Sequence, residues 1–340
     1  MTPNAWSTLE AIDALRPDVV HLVVELWERY RWVGQVMRRL DGPVVYDQYD
    51  CIRGMLDPSS AAPGEILAVE KDCFARASHI CSRHLEPLSL RRDHGYEMPA
   101  ATYFADYGWT TPITAPPRNV SSRDELHVVY CGGIWPEDRY SRETMGYGQY
   151  LEIGRNLAKQ RIHLHLYPAP NLPVLGDFDG FFAEYLAESA RNRFFHIYRP
   201  LPHDELMKRL ASYDAALHVY GTGISADVGR NSPAKVRYSS ANKLFDYVEA
   251  GLPVIVHDGL HHRGVVRHYG QAIVLESIEH AREGLVRALA RPRPANRASC
   301  SIAAQAGRLG GMYARLTGKP CPSIPSGADT RIEELRPVPA

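Results

Sequence analysis

The chain has 340 residues, 45% of them hydrophobic and 23% charged, which suits two folded domains and excludes a disordered or fibrous protein. Its formal net charge is zero, so bulk electrostatic attraction to nucleic acid is excluded and no nucleic-acid partner is expected. No apolar run reaches membrane-spanning length, and no basic patch with an apolar core opens the chain, so neither a span nor a signal peptide is expected.

After a short leading helix, residues 16–24 (Arg16 to Val24) read as a buried strand. A helix follows from Glu25 to Leu40, with apolar positions at Leu26, Tyr30, Val33, Val36, Met37 and Leu40, and Gly42-Pro43 ends it. The same helix carries Trp27, Tyr30 and Trp32 beside Arg29, Arg31, Arg38 and Arg39. Its two open readings are a core-facing helix with solvated arginines and a helix seated at a lipid interface. Residues 43–46 form the next strand, which runs into Asp47-Gln48-Tyr49-Asp50. Residues 65–77 are helical and 79–81 a short strand. Strand and helix in alternation predict a parallel sheet. Asp47 and Asp50 sit where such strands end, so they are the acid/base candidates; helix capping or a loop hydrogen bond is the competing account. His21, near another strand end, is a weaker base candidate.

Residues 115–119 (APPRN) read as a linker, and Leu126 to Ile134 opens a second domain as a strand running into Gly132-Gly133. Paired glycines make a tight turn or let a ligand approach the backbone, and both readings are open. Helices are expected at 150–160, 178–189, 203–211 and 278–290, with strands at 162–167, 194–198, 213–221 and 272–275. His163 and His165 share one strand face, but no carboxylate or cysteine near them in sequence completes a ligand set, so no metal is expected. Tyr220 and Gly221 end a strand, and residues 222–237 read as a basic, glycine- and serine-containing lid loop that includes Arg230, Lys235 and Arg237. A further helix is expected at 302–317, followed by a disordered tail from about Pro320. The six cysteines, Cys51, Cys73, Cys81, Cys131, Cys300 and Cys321, form no C-x-x-C pair, and reduced thiols in a cytoplasmic protein are expected.

The most informative stretch runs from Ser239 to Val256. Ser239 or Ser240 can cap a helix, Gly251 suits the left-handed position after its last turn, and Pro253 prevents continuation into the strand 252–256. Lys243 falls in the first turn, where the helix dipole disfavours a cation, so it serves either a bound anion or nothing beyond a solvated face. Asp246, three residues on, shares its face and can accept hydrogen bonds from sugar hydroxyls.

The run Asn242-Lys243-Leu244-Phe245-Asp246-Tyr247, followed by Ala250-Gly251-Leu252-Pro253-Val254-Ile255-Val256, resembles the donor-site signature of GT-B-fold glycosyltransferases of the family 4-like, or group 1, type. "RPDVVHL", "PVVYDQYD" and "ARASHICSRHL" resemble successive strand signatures of the same fold's N-terminal domain. The resemblance implies two Rossmann-like domains facing a cleft, with the N-terminal domain lacking its usual first strand and glycine-rich loop. It implies a lysine at the donor diphosphate, here Lys243, and an acidic residue on the ribose, here Asp246 where glutamate is usual. Tyr238 takes the place of the first glutamate of the two-glutamate form of the motif.

The expected domains are 1–122 on the acceptor side, 123–318 on the donor side and 319–340 as tail. The expected function is metal-independent transfer of a sugar from a nucleotide-sugar, a co-substrate with no cofactor beside it, to the hydroxyl of a glycan, a lipid-linked or a small-molecule acceptor. Gly132, Gly133, Tyr220, Arg237, Tyr238, Ser240, Asn242, Lys243 and Asp246 are the donor-site candidates, and Asp47 and Asp50 the catalytic ones. An acceptor on a lipid would place the protein against the inner face of the membrane. A degenerate binding subunit and a nucleotide-sugar epimerase are the alternatives. No G-x-S-x-G, H-E-x-x-H, Walker or G-x-G-x-x-G pattern supports hydrolase, protease or nucleotide-hydrolase chemistry.

Overall fold

Apolar runs of strand length become strands, and the amphipathic segments between them supply the crossovers that parallel pairing requires. The computed structural model describes residues 3–24, 30–55, 64–103, 124–219, 237–256, 266, 270–275, 277–291 and 302–320. They build two parallel sheets, one in each of two units, and the chain is α/β as expected. The first unit comprises Met1–Tyr107, Asn231–Ser240 and Ser299–Ala340; the second comprises Gly108–Arg230 and Ala241–Ala298.

In the first unit β1 (Val20–Val24), β2 (Val44–Gln48), β3 (His79–Ser82) and β4 (Ala101–Tyr103) pair in sequence order, all parallel. Period-two alternation divides their side chains between two faces. Leu22, Val24, Val44, Tyr46 and Ile80 pack with Val33, Val36 and Met37 of the helix Tyr30–Met37 and with Cys73 and Phe74 of the helix Gly64–Arg76. Trp32 is partly buried against the same core, so this part of the helix faces inward. Trp27, Arg29 and the side chains of Tyr30 and Arg31 lie outside the described residues. Among the described residues no helix is long and apolar enough to cross a membrane.

The opposite face corrects the expected domain division. Val45 and Cys81 pack with Met312, and with Leu309, Tyr313 and Leu316 at their rim, all from the helix Ile302–Thr317. That helix, expected in the second domain from its place in the sequence, belongs to the first unit. Its apolar residues recur every three or four positions, a stripe that covers the second face of β2 and β3.

In the second unit β5 (Leu126–Gly132), β6 (Ile162–Pro168), β7 (Phe195–Ile197), β8 (Ala215–His218), β9 (Val254–Val256) and β10 (Ala272–Val274) form a parallel sheet in the order β10-β9-β8-β5-β6-β7. The strand order reverses between β5 and β8, and ligands of open α/β sheets bind outside the carboxyl ends of the strands at such a reversal. Val128, Leu164, Leu166 and Phe195 form a core with Ile153 and Leu157 from the helix Leu151–Lys159 and Tyr185 from the helix Ala183–Arg191. The single helix expected over 178–189 is two, Phe178–Phe181 and Ala183–Arg191, broken at Phe182. Cys51, Cys73, Cys81 and Cys131 are buried thiols, not joined in disulfides. The linker at 115–119, Tyr220-Gly221, the lid residues 222–236 and the tail from 321 lie outside the described residues.

Candidate functional site

The helix Lys243–Glu249 buries Leu244, Phe245, Tyr247 and Val248 and ends as its sequence requires. Gly251 takes φ 70°, its N–H donates to the Val248 carbonyl at 2.9 Å, and the Leu252 N–H donates to the Tyr247 carbonyl at 2.9 Å. This pair of bonds is a Schellman stop, which a glycine in the left-handed region allows without a Cβ clash. The start differs from expectation. Asn242, not a serine, is the cap residue, and its side chain makes no capping bond. A turn of Ala241 and Asn242, whose carbonyls accept the Leu244 and Phe245 N–H groups at 3.0 Å each, separates Ser240 from the helix.

Tyr247 fixes the helix against the sheet: its hydroxyl accepts the Cys131 N–H at 2.9 Å, and both groups are buried. One turn earlier on the same helix, Lys243 reaches the carboxyl end of β5. Its Nζ donates to the Tyr130 hydroxyl at 3.1 Å and lies 4.8 Å from the centre of that ring. Gly132 adopts φ 140°, and a Cβ there would stand 2.4 Å from Lys243 Cε and 2.8 Å from Nζ. The glycine is therefore required twice, by its backbone angle and by the lysine that fills its side-chain space. The Gly133 carbonyl accepts the Tyr130 hydroxyl at 2.9 Å, which orients the ring that Lys243 touches.

Asp246 is mostly buried, and burial pushes its carboxyl above the usual aspartate range. His203 Nε2, 3.3 Å from Oδ1, opposes that shift. Gly132, Gly133, Lys243 and Asp246 are thus brought together at the sheet reversal, with Asn242 at the head of the same helix. A fixed cation beside exposed backbone suits an anion, and a carboxylate one turn away suits hydroxyl donors. The arginines after the glycines serve other partners: Arg139 donates to the Gly180 carbonyl, and Arg142 pairs with Glu152 at 3.0 Å.

The remaining described candidates, Arg237, Tyr238, Ser240, Asp47 and Asp50, belong to the first unit. The buried Tyr238 accepts a hydrogen bond from Arg92 at its hydroxyl and from the Leu85 N–H at its carbonyl, and the Arg237 guanidinium lies over the Tyr238 ring at 5.9 Å. Asp47 sits within β2, its Oδ2 3.2 Å from His21 Nε2, and His21 Nδ1 is in turn bonded to the Tyr313 hydroxyl. Asp50 lies past the strand end. Tyr130 and His203 are the site residues that the sequence does not disclose. They stand 113 and 43 positions from Lys243 and Asp246, and no spacing signal marks them.

A buried carboxylate organises the chain after Asp50. Glu70 Oε1 accepts from Gln48 Nε2 at 2.9 Å and the Ile52 N–H at 2.6 Å, and Oε2 accepts from the Arg53 N–H and the Tyr96 hydroxyl. Burial pushes the carboxyl up to about 7 against the hydrogen bonds from Tyr96, Arg53 and Ile52. An acid raised in the folded state keeps its proton where the unfolded chain has lost it, between pH 4.5 and about 7. Its contribution therefore favours folding at low pH and is lost as pH rises through 7. The stability difference between the wild type and Glu70→Gln is expected to change by about 3 kcal/mol from pH 5 to pH 8. Denaturant unfolding at the two pH values checks this, and parallel curves for the two proteins would refute it.

A six-stranded parallel sheet with a lysine at its reversal, together with a second parallel sheet in the same chain, is the architecture of GT-B glycosyltransferases. No protein-family model and no curated protein matches the chain. Solved structures do. Sucrose-phosphate synthase from Thermosynechococcus elongatus matches with a TM-score of 0.61 at 12% identity, over 92% of this chain and 77% of that one. HepE from Anabaena, in complex with UDP, matches with a TM-score of 0.60 at 13% identity, over 93% and 83%. The α,α-trehalose 6-phosphate synthase from Burkholderia multivorans matches with a TM-score of 0.56 at 10% identity, over 92% and 74%. The chain has the GT-B fold in common with these glycosyltransferases.

Proposed function

We propose that the protein transfers a sugar from a nucleoside diphosphate sugar to an acceptor hydroxyl without a metal ion. The observation that carries this reading is Lys243, held by Tyr130 against Gly132 at the end of β5. In a transfer of this kind the leaving diphosphate gains negative charge as the glycosidic bond breaks, and a prepositioned cation lowers the energy of that state. Lys243 takes the role that a divalent cation plays elsewhere. Asp246, supported by His203, receives hydroxyls of the donor's ribose, with Asn242 at the head of their helix. Asp47, within β2, and Asp50, beyond its end, are the acid/base candidates.

UDP is the first nucleotide to test, since structures of HepE from Anabaena contain UDP and UDP-glucose. UDP at a hundredfold excess over its Kd should stabilise the fold by about 2.7 kcal/mol, read as a rise in Tm, whereas adenosine should not. UDP-glucose with a mixture of acceptor sugars should then release UDP. Binding without turnover would identify a binding subunit, and no response to any nucleoside diphosphate would refute the reading.

A further inference from the structure

The second unit's sheet carries, on the face turned away from its main core, a group of imidazoles that the donor site does not use. His127 of β5 pairs in register with His163 of β6, and His165 of β6 with His196 of β7. Parallel register and period-two alternation bring all four to one face. Strands covered on both faces are ordinarily apolar, and all seven residues of β6 are buried, yet two of them are histidines. His127 and His163 each stand second in their strand, at the opposite end of β5 from Gly132.

We propose that His127, His163 and His165 form a binding site for a divalent transition-metal ion of the zinc, cobalt or nickel type, with His196 at its side. One ligand nitrogen from each of the three lies within 4.8 Å of the others. His127 Nδ1 and His165 Nε2 are 2.9 Å apart, as are His163 Nδ1 and His196 Nε2. A tetrahedral ion with metal–nitrogen bonds of 2.0–2.1 Å holds its ligand nitrogens about 3.3 Å apart, so the cluster is already near coordination spacing. The His127 and His163 rings are stacked at 4.4 Å, and rotation about χ2, a broad torsion for histidine, fans them toward one point.

The surroundings favour an ion further. His163 Nε2 lies 3.0 Å from Glu125 Oε2, and His165 Nδ1 lies 3.0 Å from the Tyr198 hydroxyl. With His163 donating to Glu125 and His165 donating to Tyr198, the inner nitrogens, His163 Nδ1 and His165 Nε2, present lone pairs. This is the outer-partner arrangement that orients metal-binding histidines. Imidazole donors select zinc, cobalt, nickel or copper over magnesium and calcium. An ion here would tie β6 to β5, at the end of the strands opposite Gly132, and would act on stability, not on transfer.

The test uses the full chain, freed of metal with a chelator and titrated with zinc chloride in a calorimeter. One equivalent should bind and Tm should rise. His127→Gln and His163→Gln should each weaken binding by about tenfold or more, whereas a control carrying His261→Ala and His262→Ala should bind as the wild type does. Cobalt(II) added to the wild type should give the intense visible absorption of a tetrahedral site, a readout that needs no variant. Absence of zinc binding, wild-type affinity in both glutamine variants, or a weak octahedral cobalt spectrum would each overturn the proposal.

Discussion

Lys243→Ala is expected to weaken the binding of UDP by roughly ten- to a hundredfold, equivalent to about 1.5–3 kcal/mol for a charge-assisted contact with the diphosphate. The lysine has little freedom to be replaced by a neighbour. Its Nζ is anchored at 3.1 Å to Tyr130, its stem fills the space of an absent Gly132 side chain, and Arg139 and Arg142 are engaged elsewhere. Removing it leaves the buried Tyr247–Cys131 hydrogen bond in place, so the fold should survive and the loss should be specific to the anion. Calorimetry with UDP, beside circular dichroism of both proteins, makes the comparison. Equal affinities in two folded proteins would remove Lys243 from the site.

The largest effect on stability is expected from Phe195→Ala, about 3–5 kcal/mol. Phe195 is wholly buried in the edge strand β7 and lies over Gly154 of the helix Leu151–Lys159. A Cβ at Gly154 would stand 2.3 and 2.5 Å from two carbons of that ring, which Tyr185 flanks at a centroid distance of 5.8 Å. Gly154→Ala should therefore cost about 1–3 kcal/mol through overpacking, although alanine is the better helix former. In the Phe195→Ala background the ring is gone, and Gly154→Ala should be neutral or stabilising. Denaturant midpoints at unchanged m-value close the double-mutant cycle. Additive effects would show that ring and glycine are not coupled.

Much of this protein is legible in its residue order because the relevant physics is local. Apolar runs of β-branched residues specify strands, and Gly251 with Pro253 specifies a helix stop, which the structure realises at φ 70°. The alternation of elements implied parallel sheets, and two are present. The motif from Asn242 to Val256 pointed to the GT-B fold, whose architecture the sheets carry. The tertiary structure alone decided which distant groups meet. The apolar stripe of the helix Ile302–Thr317 could cover any bare sheet face; that it covers β2 and β3 depends on the path of the whole chain. Tyr238 sits three positions before the second unit resumes at Ala241, although it is only five positions from Lys243. His163 and His165 read alone as an incomplete ligand pair, and strand register added His127 and His196. Tyr130 and His203 likewise reach Lys243 and Asp246 only because strand order and helix docking bring them there. Propensity and capping act over a few residues and can be read along the chain, whereas register and packing join residues whose separation carries no periodic signal.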